Sequence, residues 1–251
     1  MKKIIFILFV LVGFLSQGQI MQHGMFVLAG QGPGANPGKT DLVSYYAFEE
    51  SSGTDCFDSH TGGFDGTIVN ALVNQTGKVG KCYQYDFGDY VTFGNVFSFP
   101  SSSSFTISAW IYCFDNNRDD EQKIYAKSGN YALGTLKNTD GEIRLHNSTQ
   151  RDETGETYIL NQQWMHCMFV IDGINTNVYF DGVLRITRTD ASLTSNTNPF
   201  YIGGTWKVDG TLVTEEWGGW IDELSIFDIA LTGDNALWFY NSGNGRSFSD
   251  L

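Results

Sequence analysis

Gly219-Trp220-Ile221-Asp222-Glu223-Leu224-Ser225-Ile226-Phe227, followed by Asp228-Ile229-Ala230-Leu231-Thr232 and a short run to Tyr240, decides the fold. The first nine positions, apolar with polar residues set among them, read as a strand with two different faces. Thr232 then precedes a helical spacing of Ala236, Leu237, Phe239 and Tyr240. Strict alternation puts Trp220, Asp222, Leu224 and Ile226 on one face and Ile221, Glu223, Ser225 and Phe227 on the other. Asp222 then points into apolar company. A buried charge there needs hydrogen bonds, a cation or a metal.

Working outward, the same grammar repeats. Phe105-Thr106-Ile107-Ser108-Ala109-Trp110-Ile111-Tyr112 alternates cleanly. Further strands are expected near 42–48, 67–70, 81–87, 89–93, 122–127, 130–136, 142–146, 156–160, 164–171, 177–187 and 199–203. Asp86-Phe87-Gly88-Asp89, Asp140-Gly141 and Asp181-Gly182 supply turn chemistry between them. Short strands at regular spacing with one closing helix, 232–240, predict an all-β two-sheet antiparallel sandwich, a jelly roll. Twenty-nine glycines and 15% aromatics among 251 residues suit turns and a large apolar core.

The chain divides into three parts. Met1-Lys2-Lys3, an apolar run from Ile4 to Leu15 and Ser16-Gln17-Gly18 read as a secretory signal peptide over 1–18. The run is too short to span a bilayer, so no integral membrane segment is expected after its removal. Residues 19–40 hold Gly30-Gln31-Gly32-Pro33-Gly34-Ala35-Asn36-Pro37-Gly38, a linker or arm that Gly and Pro keep irregular. Residues 41–251 form the domain. The expected location is secreted or on the cell surface. Cys56, Cys82, Cys113 and Cys167 allow either two disulfides or buried thiols, and the spacing does not choose. A net charge of -13 excludes a nucleic-acid backbone as partner and disfavours anionic lipid.

In this order, the motifs resemble the laminin-G-like, concanavalin A-like lectin/glucanase jelly rolls. Tyr46-Ala47-Phe48-Glu49-Glu50 with Ser52-Gly53-Thr54 is similar to the first strand and loop, and Asp58-Ser59-His60 to Gly66-Thr67 to the segment after it. Gln163-Trp164-Met165-His166, Val178-Tyr179-Phe180-Asp181-Gly182, Tyr201-Ile202-Gly203-Gly204 and the stretch at 220–231 complete the series. The resemblance implies a sandwich that binds carbohydrate or protein partners, often with one calcium ion. By motif position it implies Asp58 and Asp222 as the metal carboxylates, with backbone carbonyls completing the shell. The ion is expected to be structural.

Catalysis has little support in the residues. The Glu-x-Asp-x-x-Glu run of laminarinase-type hydrolases, which sets two carboxylates on one strand face, is absent. Asp222 and Glu223 are adjacent and face opposite ways, and no Ser or Cys sits in a nucleophile motif. The expectation is a non-enzymatic module that binds glycan or a surface protein. Its ligand residues are expected in the polar segment 205–217: Trp206, Glu216 and Trp217. The alternatives are an assembly or adhesion subunit, bacterial or viral, and a glycoside hydrolase.

Overall fold

The computed structural model describes residues 34–60, 63–135, 139–147, 151–189, 191–206 and 213–251. The expected signal peptide and most of the arm lie outside them. The strands are β1 (Leu42–Tyr46), β2 (Asp55–Cys56), β3 (Gly66–Val69), β4 (Leu72–Thr76), β5 (Lys81–Tyr85), β6 (Tyr90–Thr92), β7 (Ser104–Cys113), β8 (Gln122–Lys127) and β9 (Tyr131–Thr135). They continue as β10 (Glu142–Asn147), β11 (Arg151–Thr157), β12 (Trp164–Asp172), β13 (Asn175–Phe180), β14 (Val183–Arg188), β15 (Phe200–Ile202), β16 (Thr205–Trp206), β17 (Val213–Thr214) and β18 (Gly219–Phe227). One helix, α1 (Gly233–Tyr240), follows.

Two eight-stranded sheets face each other. The first runs β14-β13-β12-β7-β18-β5-β4, with β1 also on β18; the second runs β11-β10-β9-β8-β15-β6-β3-β2. Every recorded pairing between named strands is antiparallel. The sandwich and its closing helix are therefore as expected. The run at 177–187 splits at Asp181-Gly182 into β13 and β14. The edge strand β4 went unforeseen, because Leu72-Val73-Asn74-Gln75-Thr76 is mostly exposed and lacks an apolar face.

The main core lies between the sheets. Phe105, Ile107, Ala109 and Ile111 of β7, Cys167, Phe169 and Ile171 of β12, and Ile221, Leu224 and Ile226 of β18 all point into it. A second, smaller core lies on the outer face of the first sheet. There Ala236, Trp238 and Phe239 of α1 pack on Leu42, Tyr45, Met168, Val170 and Phe227. A capping box starts this helix: Thr232 accepts from the Asn235 amide, and Asn235 accepts from the Thr232 amide. Asn241, in the left-handed region at φ 47, ends it.

The strand that decides the fold departs from strict alternation. Its register against β7 shifts between Asp222 and Ser225, and Glu223 has φ 50. This is a β-bulge, and the extra residue reverses which side chains face inward. Ile221, Leu224 and Ile226 therefore share the core face, while Trp220, Asp222, Ser225 and Phe227 share the outer one. Asp222 is not in line with Leu224 and Ile226. The bulge sits where β18 changes neighbour, from β5 at Gly219–Ile221 to β1 at Leu224–Phe227. The four cysteines are buried and unpaired.

Candidate functional site

The outer face of the first sheet carries two neighbouring rows, two residues apart on each strand. One row is His166 on β12 and Trp110 on β7, which are register partners, then Asp222 on β18, the partner of Trp110. The helix and tail cover it. His166, Trp110 and Asp222 are all at most 2% exposed. Tyr240 stacks on Trp110 at 6.0 Å, and Phe239 stacks on the His166 ring at 5.8 Å.

The second row runs just past the end of that cover. Trp164 pairs with Tyr112, Tyr112 with Trp220, Trp220 with Gln84 and Gln84 with Leu72, an unbroken line across β12, β7, β18, β5 and β4. Trp164, Tyr112, Trp220 and Gln84 are half-buried, and Leu72 is 53% exposed. Ring centroids lie 5.7 Å apart for Tyr112–Trp164, 4.5 Å for Tyr112–Trp220 and 5.9 Å for Trp164–Trp220. Phe114 stands against Trp220 at 83° and 5.4 Å, forming a wall to this floor. The Trp220 indole N–H donates to Gln84 Oε1 at 3.2 Å and fixes both side chains. No member of the row is charged. Aromatic faces beside an amide, open to solvent and held by a rigid sheet, can stack on apolar ring faces and hydrogen-bond a polar rim. The sequence reading passed over these residues. Their signal was parity: each aromatic lies two places from a buried outward residue on its own strand.

The residues expected to bind ligand are placed differently. Trp217 is completely buried in the main core, its amide bonded to Gly203 O at 2.9 Å. That bond ties the segment before β18 back to the edge of β15 and turns the indole inward. Trp217 has no face for a sugar, and that expectation is corrected. Trp206 lies on β16, opposite Val213 on β17; its side chain and residues 207–212 lie outside the described residues. Glu216 is half-buried and bridges Lys123 through the backbone, while the neighbouring Glu215 Oε2 lies 3.4 Å from Lys123 Nζ.

The two expected metal carboxylates have separate duties. Asp58 Oδ1 accepts from the Tyr45 and His60 amides, both at 2.9 Å, and its Oδ2 from the Phe64 amide at 3.4 Å. It closes its own loop onto β1, and no contact joins it to Asp222. Asp222 Oδ2 accepts from the Val79 amide at 2.9 Å, in the turn between β4 and β5. Backbone amides at Lys78 and Glu223 also lie toward the carboxylate, and its Oδ1 is buried. Burial raises the Asp222 carboxyl well above the usual carboxylate range. Burial first, and then the nearby Asp222 charge, push Glu223 up to about 9, although the Tyr45 hydroxyl donates to it. Glu49 adds a further negative charge to both. No Lys or Arg side chain pairs with Asp222 or Glu223 among the described residues. Nor, among those residues, do three His, Cys, Asp or Glu side chains form a metal-holding group.

Ser108 Oγ lies 2.7 Å from His166 Nε2. The pair is sealed beneath α1, and Asp181 bonds the His166 backbone amide rather than its ring. It is a packing element, and burial lowers the imidazole to about 3. A cavity of about 410 Å³ opens beside the loop after β1, against Glu49, Glu50 and Phe57. Glu50 is held there by the Phe57 amide at 2.8 Å and the Tyr83 hydroxyl at 2.5 Å.

The profile of the concanavalin A-like lectin/glucanases superfamily matches residues 86–236. No curated protein sequence matches the chain. Among solved structures, domain 4 of AbnA, a GH43 extracellular arabinanase from Geobacillus stearothermophilus in complex with arabinotriose, is similar at 22% identity and TM-score 0.61. The match covers 78% of this chain and 97% of that one. The binding domain of Paraclostridial Mosquitocidal Protein 1 is similar at 15% identity and TM-score 0.63, over 82% of this chain and 53% of that one. A Trypanosoma rangeli sialidase mutant displaying trans-sialidase activity matches at 16% identity and TM-score 0.62, over 84% of this chain and 34% of the sialidase. The chain thus spans about half of the toxin domain and a third of the sialidase, and at these identities the likeness is one of fold.

Proposed function

The chain belongs to the concanavalin A-like lectin/glucanases superfamily, and on that premise we propose that it recognises carbohydrate through the open row Trp164–Tyr112–Trp220–Gln84. It is a binding module and not an enzyme, since the similar solved domains are mostly binding or accessory domains rather than catalytic ones. One observation carries the sugar reading: three aromatic side chains from three adjacent strands share a solvent-facing row, with an amide completing it. Such surface is costly to leave in water and suits a ligand with apolar ring faces and a polar edge. The similar arabinanase domain was solved with an oligosaccharide, which supports the same reading. A glycan array is the test. Binding by wild type that disappears in Trp220→Ala supports it, and wild-type silence across the array contradicts it.

A structural calcium is the second part of the proposal, through Asp222 alone. What supports it is a buried carboxylate with Glu49 and Glu223 adding negative charge nearby and no Lys or Arg paired with it among the described residues. Backbone carbonyls and water would supply the remaining hard-oxygen ligands. The ion would join the last strand to the β4–β5 turn. Asp58 does not fit this role, because backbone amides already occupy both its oxygens. At calcium about 100-fold above Kd, stability should rise by about 2.7 kcal/mol. A melting temperature unmoved by chelator or by added calcium contradicts it.

Export is proposed from the N-terminal pattern at 1–18. Among the described residues no helix is long and apolar enough to cross a membrane. Mass spectrometry of protein recovered from the medium should find an N-terminus near residue 19.

A further inference from the structure

The open row has a shape as well as a composition. It crosses five strands, β12 to β4. Neighbouring strands lie about 4.8 Å apart, so the line from Trp164 to Leu72 is about 19 Å long. Both long sides are bounded. Phe114 rises on one, at 76° to Tyr112 and 83° to Trp220. On the other, Lys78 lies over Trp110 at 4.6 Å, and the tail at Tyr240 and Gly245 packs onto the same indole. The Leu72 end is open, because β4 is an edge strand; at the other end β13 and β14 continue the sheet beyond β12. The result is a shallow trough across the strands rather than a closed pocket.

Its hydrogen-bonding character is equally definite. The Trp220 indole N–H is used internally by Gln84 Oε1. What Gln84 has left to offer a ligand is its amide N–H pair. The floor is thus ring faces with a donor toward one end, and it carries no charge. A chain of net charge -13 adds long-range repulsion against anionic ligands, against which the trough's side sets one cation, Lys78.

We infer that this trough takes an extended, uncharged glycan, several sugar units long, bound along its interior rather than by its terminal unit. A trough about 19 Å long is left mostly empty by a single sugar ring, and the open end at β4 lets a chain run past the edge strand. Trp164, Tyr112 and Trp220 would stack successive units, and Gln84 and Leu72 would take the units nearest the edge strand. The inference rests on the carbohydrate reading above and adds ligand length, charge and mode.

Calorimetric titration of the full chain with neutral linear oligosaccharides, arabino-, xylo-, gluco- and manno-series from one to six units, tests it. In a series that binds, the monosaccharide should give no measurable heat. Affinity should climb about tenfold or more between two and four units and then level off. Leu72→Ala should weaken the longer members several-fold and the disaccharide less, while Trp220→Ala should abolish all binding. If Trp220→Ala folds poorly, Trp164→Ala provides the same reading from the other end. A monosaccharide that binds as tightly as the hexamer overturns the extended mode and leaves the sugar reading intact. A preference for uronate oligomers over neutral ones overturns the charge assignment alone. No binding in any series overturns both readings.

Discussion

His166–Trp110–Asp222 and Trp164–Tyr112–Trp220 are built on the same three strands and the same sheet face, two residues apart. Only the cover differs. Over the first row, α1 and the tail exclude water, and even a histidine and an aspartate become core. Over the second, the helix has ended at Tyr240, the left-handed Asn241 has turned the chain, and the rings stay half in water. The difference teaches that aromatic content on a sheet does not by itself mark a binding surface. What marks it is where the covering layer stops.

The contrast can be broken most forcefully by truncating its covered half. Trp110→Ala should destabilise by about 3–5 kcal/mol, the usual cost of emptying a packed aromatic site. Urea unfolding should show this as a lower midpoint. A loss below about 1 kcal/mol would mean that the helix does not pack there as described.

Acid should weaken the covered row next. His166 is held neutral among Trp110, Phe239 and the Ser108 hydroxyl, its pKa lowered to about 3 by burial. In the unfolded chain it titrates near ~6.5. Between those values the unfolded state binds more protons. This contribution to stability is therefore complete above about 6.5 and is lost as the pH falls toward about 3. Stability measured across that range should fall less steeply in His166→Gln. Equal slopes for the two proteins would contradict the neutral, buried imidazole.

Loosening the cover at its start should do less. Thr232→Ala removes one half of the capping box and should cost about 1 kcal/mol. The smallest effect belongs to the open row: Trp164→Ala should shift stability by about 1 kcal/mol or less, because its ring is already partly solvated. A loss as large as that of Trp110→Ala would erase the distinction between the rows.

The sandwich, its turns and its closing helix were legible because periodicity is a local property. Phe105 to Tyr112 alternates, Asp181-Gly182 turns, and 232–240 reads as a helix. The candidate site was much less so. Asp222 seemed to share a face with Leu224 only until the bulge at Glu223 reversed the alternation, and a bulge depends on the neighbouring strands β5 and β1. Trp217 was read as a loop aromatic, but a backbone bond to Gly203, fourteen positions earlier, turns it inward. The open row needed strand order as well as parity. Tyr112, Trp164 and Trp220 are far apart in sequence, and only the order β12-β7-β18 sets them side by side.

The central claim is that the uncovered rings bind sugar. Affinity electrophoresis through gels containing soluble neutral polysaccharides, arabinan, xylan, glucan and mannan in turn, tests it most directly. The account predicts that wild type is retarded by at least one of them. Trp220→Ala and Tyr112→Ala should then migrate as in a blank gel while melting within a few degrees of wild type. Retardation of Trp220→Ala equal to that of wild type, or no retardation of wild type in any gel, would contradict it.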